Sequence, residues 1–537
     1  MQTTPPPHAN TPAVDGQVRR RALLRGAAIG AGSVVLLARH GRAAADKPEY
    51  GGKLRVAYNL APGSLDPTLA VSGGDTFYWK QAYDVLIDND QRLTPRPDRS
   101  LAESWDLSDS RAVTLKLRKG VTFHDGTAFN AGAVKATIDR ILDPATRSAA
   151  RAEISPVERV EAVEEHLVRL HLSRPWGPAT TMLGGRAGAI NSPSAVKALG
   201  VDYRFRPSGT GPFKVAEFVS GSMVRLVRNE HYWGRDEAGN PLPYLDEIVL
   251  NIVPDQTVQT NALKAGEMDL VFLPYRDAPQ FQDKPGYNVN VFENAGTVYV
   301  LLYNRSKPPL DNINLRLAIA HAVNPAAINK AAYFGRASVA TGGMWPPSTW
   351  AYDGTVPRPS YNPAKAREYL ALGGRPNGFE VDAVSYPSEA NTPSAEIVRA
   401  QLAAVGIKMN LRMYDVTTAS EKFYYGGEAP LYLSGWGHVP EPSSSNMLYR
   451  SNGYYNASKL PDARLDALLD AGESTVDIAQ RKAIYRKVDE IVLGEAMATP
   501  LIYGTAYAAA PKRVRGLESV FTYDIRMYLH RLWLEKT

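Results

Sequence analysis

Alternating apolar and polar residues mark short strands along the chain, and apolar residues three or four positions apart mark helices between them. The alternation predicts strands at residues 53–58, 112–117, 166–172, 245–253 and 407–413. The helical spacing predicts a helix after Asn130, a short one over 258–266, one near 397–405 that ends at Gly406, and one near 484–492. Because strands and helices interleave throughout, the pattern predicts an α/β protein.

The length indicates several domains. At 537 residues, and with about 150 residues per domain, the chain should hold two to four. Its 44% hydrophobic and 22% charged residues are typical of soluble globular proteins. No Gly- or Ser-rich linker separates the predicted elements, and no short repeat runs through them. Interleaved domains are therefore expected.

The first 45 residues have the layout of an export signal. Three arginines at 19–21 precede an apolar stretch over 26–38, and Ala43–Ala45 forms a small-residue cleavage site. Thirteen apolar residues are too few to span a bilayer, which takes about 20. Arg20 and Arg21 indicate the twin-arginine route, with a general secretory signal as the alternative. Cleavage after Ala45 would leave the mature protein in the periplasm.

Charge and cysteine content narrow the function classes. The leader holds six arginines and one aspartate, whereas the rest of the chain holds 55 basic and 54 acidic residues. So nearly neutral a body offers no electrostatic basis for binding nucleic acid. The chain has no cysteine, which excludes disulfides, thiolate metal sites and a lipid-anchored cysteine.

The sequence offers no catalytic constellation. It lacks the serine-hydrolase elbow, the phosphate-binding loop and the His-Glu-x-x-His zinc motif. His124 and Asp125 precede a glycine, which favours a turn-stabilising aspartate over a catalytic pair. His166 and His171 would point to opposite faces of one strand, so they are poor joint metal ligands. We predict no catalytic residue, no metal site and no cofactor.

Several segments, taken in their order along the chain, resemble those of a known family. They are residues 101–105 (Leu-Ala-Glu-Ser-Trp), 115–126, 208–213 (Ser-Gly-Thr-Gly-Pro-Phe), 228–234, 244–248, 265–269, 315–320 and 464–469. In this order they resemble the family 5 extracellular solute-binding proteins, whose members bind peptides, opines, nickel chelates and related solutes. The agreement extends from about residue 51 to the C-terminus.

The resemblance implies a large two-lobed periplasmic-binding-protein fold of type II with a third domain inserted. It divides the chain into a signal peptide (1–45), lobe I (46–80, 209–298 and 505–537), an inserted subdomain of lobe I (81–208) and lobe II (299–504). It implies a monomeric periplasmic receptor that captures a peptide or peptide-like solute by hinge closure and delivers it to ABC permease subunits, without chemistry. An extracytoplasmic sensor or a chaperone-like protein on the same scaffold is the alternative.

The resemblance also suggests the ligand contacts. They are Tyr58 after the first strand, Arg186 as a partner for a ligand carboxylate, Tyr303 and Asn304 at the end of an apolar strand, Trp345, Trp436 in a Gly-Trp segment, and His438. Peptide receptors of the family often carry an aspartate where His438 stands, and that aspartate pairs with the ligand's amino group. A histidine cannot replace a carboxylate there. We therefore expect blocked, glutathione-like, opine-like or otherwise anionic ligands rather than ordinary free-amine peptides.

Overall fold

The computed structural model describes residues 47–293, 297–437, 441–521 and 528–536. Residues from Pro48 onward form one compact unit. The predicted signal residues Arg20, Arg21 and Ala45 lie outside the described residues, as does His438. Within the described ranges no helix has the length and apolarity needed to cross a membrane.

Strands and helices interleave from end to end, as the pattern predicts. The strands are β1 (Lys53–Tyr58), β2 (Ala102–Asp106), β3 (Ala112–Leu117), β4 (Val157–Glu164), β5 (Leu167–Leu172), β6 (Phe213–Val219), β7 (Met223–Arg228), β8 (Glu247–Ile252), β9 (Val271–Phe272), β10 (Tyr287–Phe292), β11 (Thr297–Tyr303), β12 (Ser338–Val339), β13 (Phe379–Ser385), β14 (Ile407–Met413), β15 (Leu431–Gly437), β16 (Ala498–Tyr503), β17 (Ala506–Pro511), β18 (Val514–Arg515) and β19 (Trp533–Leu534).

The helices are α1 (Gly73–Trp79), α2 (Ala131–Leu142), α3 (Ala150–Glu153), α4 (Ala179–Met182), α5 (Pro193–Leu199), α6 (Gln256–Ala265), α7 (Pro279–Gln282), α8 (Ile313–Ala322), α9 (Pro325–Ala332), α10 (Pro363–Leu372), α11 (Asn391–Ala403), α12 (Val416–Ser420), α13 (Asn446–Tyr449), α14 (Ala463–Ser474) and α15 (Ile478–Gly494). Asn130 caps α2, and its side chain accepts a hydrogen bond from the Ala133 backbone, as expected. Gly406, just beyond α11, has a φ of +94°, which suits the turn into β14.

The strands form two main lobes and an inserted sheet. Lobe I contains a four-stranded sheet in the order β1-β8-β7-β6 and a three-stranded sheet in the order β10-β17-β9, whereas lobe II contains a six-stranded sheet in the order β12-β16-β11-β15-β13-β14. The inserted sheet, β2-β3-β5-β4, packs against α2 and has its own apolar core. The domain boundaries drawn from the sequence stay a prediction.

The chain passes between the lobes twice, once between β10 and β11 and once between β16 and β17. In lobe I, β10 pairs with β17, with Phe292 opposite Ala506. In lobe II, β11 pairs with β16, with Val298 opposite Tyr503. The Gly504 backbone N–H donates to the Thr297 carbonyl over 2.8 Å at the crossing itself. The two connections between the lobes are therefore adjacent, and we refer to them as the hinge.

Residues 208–213 form a close contact with the segment at Ala82–Asp84. A Cβ on Gly209 would lie 2.2 Å from the Ala82 carbonyl oxygen, and one on Gly211 would lie 2.4 Å from the Tyr83 nitrogen. Thr210 donates to the buried Asp84 over 3.1 Å. The glycines are needed because two backbone segments touch there.

The turn at His124 and Asp125 is also as predicted. The Asp125 carboxylate accepts hydrogen bonds from the Thr127 backbone N–H and hydroxyl, over 3.0 and 2.6 Å. His124 is buried, and its Nε2 lies 3.0 Å from the Gly211 carbonyl. Burial lowers the pKa of His124 to about 4, so the ring is neutral and Nε2 donates this bond. The prediction of a turn-stabilising aspartate is confirmed.

Candidate functional site

A cavity of about 240 Å³ lies beside the hinge and is lined from both lobes. Its wall contains Phe272, Tyr275, Tyr507 and Thr505 on the lobe I side and Tyr299, Ser388 and Glu389 on the lobe II side, with Gln256, Leu273, Pro274, Thr297, Ala390, Gly504 and Ala506 completing it. A space bordered by both lobes at their hinge is where a ligand can favour one arrangement of the lobes over another.

Tyrosine rings give the cavity stiff walls. The Tyr275 hydroxyl accepts from the Thr505 backbone N–H over 2.9 Å, and its ring packs edge-on against Tyr333 with centroids 5.1 Å apart. Tyr299 packs against the same Tyr333 at 5.2 Å. The Tyr507 hydroxyl donates to the Arg336 carbonyl over 2.8 Å, so all three rings are fixed by packing or by a hydrogen bond.

Glu389 supplies the one formal charge among the residues that line this cavity. Its side chain is 26% exposed, and Arg276 Nε lies 3.9 Å from its Oε1. Burial raises the pKa of the Glu389 carboxyl above its ordinary value, while the nearby Arg276 charge opposes that rise. The negative charge of Glu389 is therefore only partly neutralised by Arg276.

Trp436 follows a residue that borders the cavity, but its own side chain lies on the other face of the sheet, because Gly435 is paired with Tyr299 and Trp436 with Val298. It is on β15, and a Cβ on the preceding Gly435 would lie 3.2 Å from the Tyr299 ring. The Gly435 N–H donates to the Tyr386 hydroxyl over 3.1 Å, which connects this strand to the segment that carries Glu389. The half-buried Trp436 ring packs edge-on against Tyr455 at 5.4 Å. A role for Trp436 in ligand binding stays a prediction.

Tyr58 borders the same region from lobe I. Its ring packs on Phe77 with centroids 4.2 Å apart and on Phe272 at 5.4 Å, and Phe272 lines the cavity. The residue is half-buried at the end of β1. This position is compatible with a contact between Tyr58 and the ligand, which stays a prediction.

Tyr303 and Asn304 lie at the other end of β11 from the cavity. Tyr299 lines the cavity, and Tyr303 comes four residues later, which is about 13 Å along a strand. The Tyr303 hydroxyl pairs with Thr499 over 2.8 Å, and the buried Asn304 bonds to Ser306 and Gly427. The structure does not bring these two residues to the cavity, because β11 enters lobe II at its N-terminal end.

Arg186 is bound within the protein. Its Nε and Nη2 donate to Glu153 Oε1 over 2.8 and 2.5 Å, and its Nη1 donates to the Ala70 carbonyl over 2.5 Å. The guanidinium thus holds α3 and the 3-10 turn at residues 186–188 against the loop before α1. Its predicted contact with a ligand carboxylate remains a prediction.

Trp345 is a buried lobe II residue, 2% exposed, that packs against Tyr485 with ring centroids 6.5 Å apart. The loop that carries it rests on Asp489, which is buried and accepts a hydrogen bond from the Met344 backbone. A Cβ on Gly343 would lie 2.2 Å from the Asp489 carboxyl, so this loop packs directly on the carboxyl group. The ligand role of Trp345 stays a prediction.

We expect Asp489→Asn to stabilise the protein at pH 8 and not at pH 4. Burial raises the pKa of the Asp489 carboxyl to about 7, so the folded state keeps a proton that the unfolded chain releases near pH 4. The resulting stability is present below about pH 4 and is lost as the pH rises to about 7. Urea unfolding should give the variant about 1–3 kcal/mol more stability at pH 8. Equal gains at both pH values would contradict this assignment.

A second contact between the lobes lies outside the hinge. The Gly177 N–H, in the loop after β5, donates to the Glu473 carbonyl in α14 over 2.7 Å. Arg174 forms an ion pair with the Glu473 carboxylate at 3.1 Å. A Cβ on Gly177 would lie 2.1 Å from the Thr475 carbonyl oxygen. We refer to Arg174, Gly177, Glu473 and Thr475 as the latch.

A buried ion pair stands next to the latch. Arg481 and Glu441 form a salt bridge with side chains 1% and 0% exposed. Arg481 also donates to the Gly472 carbonyl over 2.9 Å and to the Gly177 carbonyl at 3.5 Å. Because Arg481 contacts Gly177 as well as Glu441, this pair connects the segment that begins at Glu441 to the latch.

Sequence reasoning missed Tyr275, Tyr299, Tyr386 and Glu389. Tyr299 falls in an apolar strand, where nothing distinguishes it from a core residue. Tyr386 and Glu389 follow the C-terminal end of β13, a position at which polar residues of a parallel strand pair often meet a ligand. That signal could have identified Glu389.

Known proteins resemble this chain over most of its length. The family model for bacterial extracellular solute-binding proteins, family 5 Middle, matches residues 96–458. Heme-binding protein A of Haemophilus influenzae is 31% identical over 503 residues, covering 86% of this chain and 89% of that protein. Glutathione-binding protein GsiB of Escherichia coli (strain K12) is 30% identical over 469 residues, covering 84% and 89%.

Solved structures agree on the fold. The ABC transporter-associated periplasmic binding protein DppA of Helicobacter pylori, in complex with the peptide STSA, is 27% identical with a TM-score of 0.77, covering 91% of this chain and 99% of that one. AgaA of A. tumefaciens, in complex with agropinic acid, is 26% identical with a TM-score of 0.75, covering 90% and 99%. The family and the two-lobed α/β fold predicted from the sequence are confirmed: the chain belongs to the bacterial extracellular solute-binding proteins of family 5.

Proposed function

We propose that this protein is a periplasmic receptor that captures a small peptide-like solute between its lobes and delivers it to the permease of an ABC importer. The observation that carries the proposal is the hinge cavity, which both lobes line and which adjoins the Gly435–Trp436 segment. A ligand that touches both lobes favours the closed arrangement by its differential affinity for it. The receptor acts as a monomer and performs no catalysis.

The solute class follows from chemistry and from the relatives. Relatives carry the names glutathione-binding protein and heme-binding protein, and similar structures hold a peptide and agropinic acid. Several of these solutes bear carboxylates. We propose a peptide-like, carboxylate-bearing solute, with Arg186 as the candidate partner for a carboxylate. His438, at the family's amine-binding position, agrees with a ligand anchored differently from an ordinary peptide.

We also propose export by the twin-arginine route, on the basis of Arg20 and Arg21, with cleavage after Ala45. One experiment addresses the location and the ligand together. The protein is purified from the periplasm of its own host and examined by native mass spectrometry, in which the intact mass gives the cleavage point and any extra mass gives the bound solute. A peptide-like adduct supports the proposal. An unprocessed cytoplasmic protein, or a chemically unrelated adduct, would contradict it.

We expect Trp436→Ala to weaken binding of that solute at least tenfold. A large aromatic side chain beside a ligand contributes apolar contact that alanine cannot replace. Isothermal titration calorimetry with the solute identified above measures the change. Trp105→Ala is the matched control, because Trp105 lies in the inserted sheet, packs against its core and does not line the hinge cavity. Equal losses of affinity in the two variants would show that Trp436 does not contact the solute.

A further inference from the structure

The described residues that line the hinge cavity carry negative charge and no positive charge. Of the described residues that line it, Glu389 alone carries a formal charge, and the remaining polar groups are hydroxyls, one amide and backbone. Arg276 stands behind Glu389 and is absent from the lining. A group that enters this space therefore meets negative charge and aromatic surface.

The Glu389 carboxyl group is buried on one side and open on the other. Its Oε1 is inaccessible to solvent and has no side-chain donor within hydrogen-bonding distance among the described residues, although the nearby backbone of Tyr275 and Arg276 lowers the pKa of the carboxyl. Arg276 Nε, at 3.9 Å, is beyond hydrogen-bonding distance, and it lies closer, at 3.6 Å, to Asp277. Arg276 Nη2 donates to Thr257 instead, over 2.6 Å. Because Oε1 is inaccessible, a cationic group in the cavity would meet the charge of Glu389 at the 26% of the side chain that is exposed.

The aromatic walls suit the same kind of group. The hydroxyls of Tyr275 and Tyr507 are engaged with Thr505 and Arg336, so they hold the rings in place. Together with Tyr299 they present π-systems around a space of about 240 Å³. Aromatic faces attract ammonium and guanidinium ions, and the attraction strengthens when water is excluded.

We propose that the hinge cavity binds a cationic group of the solute, an ammonium or a guanidinium, with Glu389 as its counter-ion. The inference rests on the receptor function proposed above and adds that the carboxylate-bearing solute is a zwitterion. It also resolves the difficulty that His438 raises. The amine needs no acid at position 438, because Glu389 offers one, connected to the Gly435–Trp436 segment through Tyr386.

The first test compares the binding of two ligands to two proteins. Glutathione and N-acetylglutathione are titrated calorimetrically into the wild type and into Glu389→Gln, which keeps the shape of the side chain and removes its charge. We expect N-acetylation and Glu389→Gln each to weaken binding about tenfold to a hundredfold, and their combination to cost little more than either alone. The control is Glu380→Gln, an exposed acid of β13 that pairs with Lys408. Additive losses, or no loss, would overturn the proposal.

The second test needs no knowledge of the natural solute. Thermal melting is followed in 100 mM ethylammonium chloride and in 100 mM sodium chloride. Ethylammonium should raise the melting temperature of the wild type by about 1–3 °C more than sodium does, and should not do so for Glu389→Gln. Equal shifts in the two proteins would overturn the cation site. If ethylammonium binds as expected but neither form of glutathione binds, the cation site stands and the glutathione-like solute class fails instead.

Discussion

Replacing Gly177 by alanine should weaken solute binding roughly 30-fold, about 2 kcal/mol, while leaving the fold intact. The added Cβ would lie 2.1 Å from the Thr475 carbonyl and 3.0 Å from that of Glu473, both in the opposite lobe. These are backbone atoms, which cannot move aside as a flexible side chain would. The φ of Gly177 is not in the left-handed region, so alanine fits its own backbone. The strain therefore falls on the closed arrangement of the lobes.

The measurement combines affinity and shape. Calorimetry gives the dissociation constant of the solute identified by mass spectrometry, and small-angle scattering shows whether the solute still makes the particle more compact. We expect the variant to remain extended at solute concentrations that close the wild type, because a ligand shifts an equilibrium only by its differential affinity. Gly494→Ala is the control, since a Cβ there meets nothing within 4 Å. Unchanged affinity in Gly177→Ala would show that the latch has no part in closure.

Arg481→Met should lower the free energy of unfolding by about 3–5 kcal/mol. The change leaves the Glu441 carboxylate fully buried without its partner, and it removes donors to the Gly472 and Gly177 carbonyls. The guanidinium also stacks over Trp350 at 4.9 Å, a contact that the thioether replaces only in part. Desolvation of the lone carboxylate is the largest of these costs.

Urea unfolding followed by circular dichroism measures this loss. Adding Glu441→Leu to Arg481→Met removes the orphaned charge and should restore most of the stability, since apolar residues can replace a buried pair. Arg464→Met is the control, because Arg464 is 62% exposed and its partners Asp462 and Glu495 are 10% and 28% exposed, so that neither is left fully buried. That variant should lose no more than about 1 kcal/mol. If both arginine variants lose the same amount, burial of the pair is not what stabilises this region.

Local elements were predictable where one physical rule dominates. The strands at Lys53–Tyr58, Ala112–Leu117 and Ile407–Met413 have the predicted bounds, because one buried face imposes strict alternation. The predicted helix over 258–266 begins two residues earlier, at Gln256, because the Asp255 side chain caps it and hydrogen bonds extend the first turn.

The site was harder to predict, because its residues meet only through the hinge. Tyr275 and Tyr299 come from different lobes, and no periodicity indicates that two crossing strands bring them to one cavity. The partner of Arg186 was equally hidden: Glu153 belongs to a helix of four residues, too short to leave a pattern. Sequence patterns report burial, whereas the site depends on which distant segments touch.

The position of the latch relative to the hinge has a practical consequence. The contact between Gly177 and Glu473 lies outside the crossing strands, so a rotation of the lobes about those strands separates the two residues. The chain contains no cysteine, and a single thiol introduced on each lobe can therefore be labelled with a dye without competing reactions. Binding of the solute would then change the energy transfer between the two dyes and so the colour of the emitted light. The protein could therefore serve as an optical sensor of its own solute.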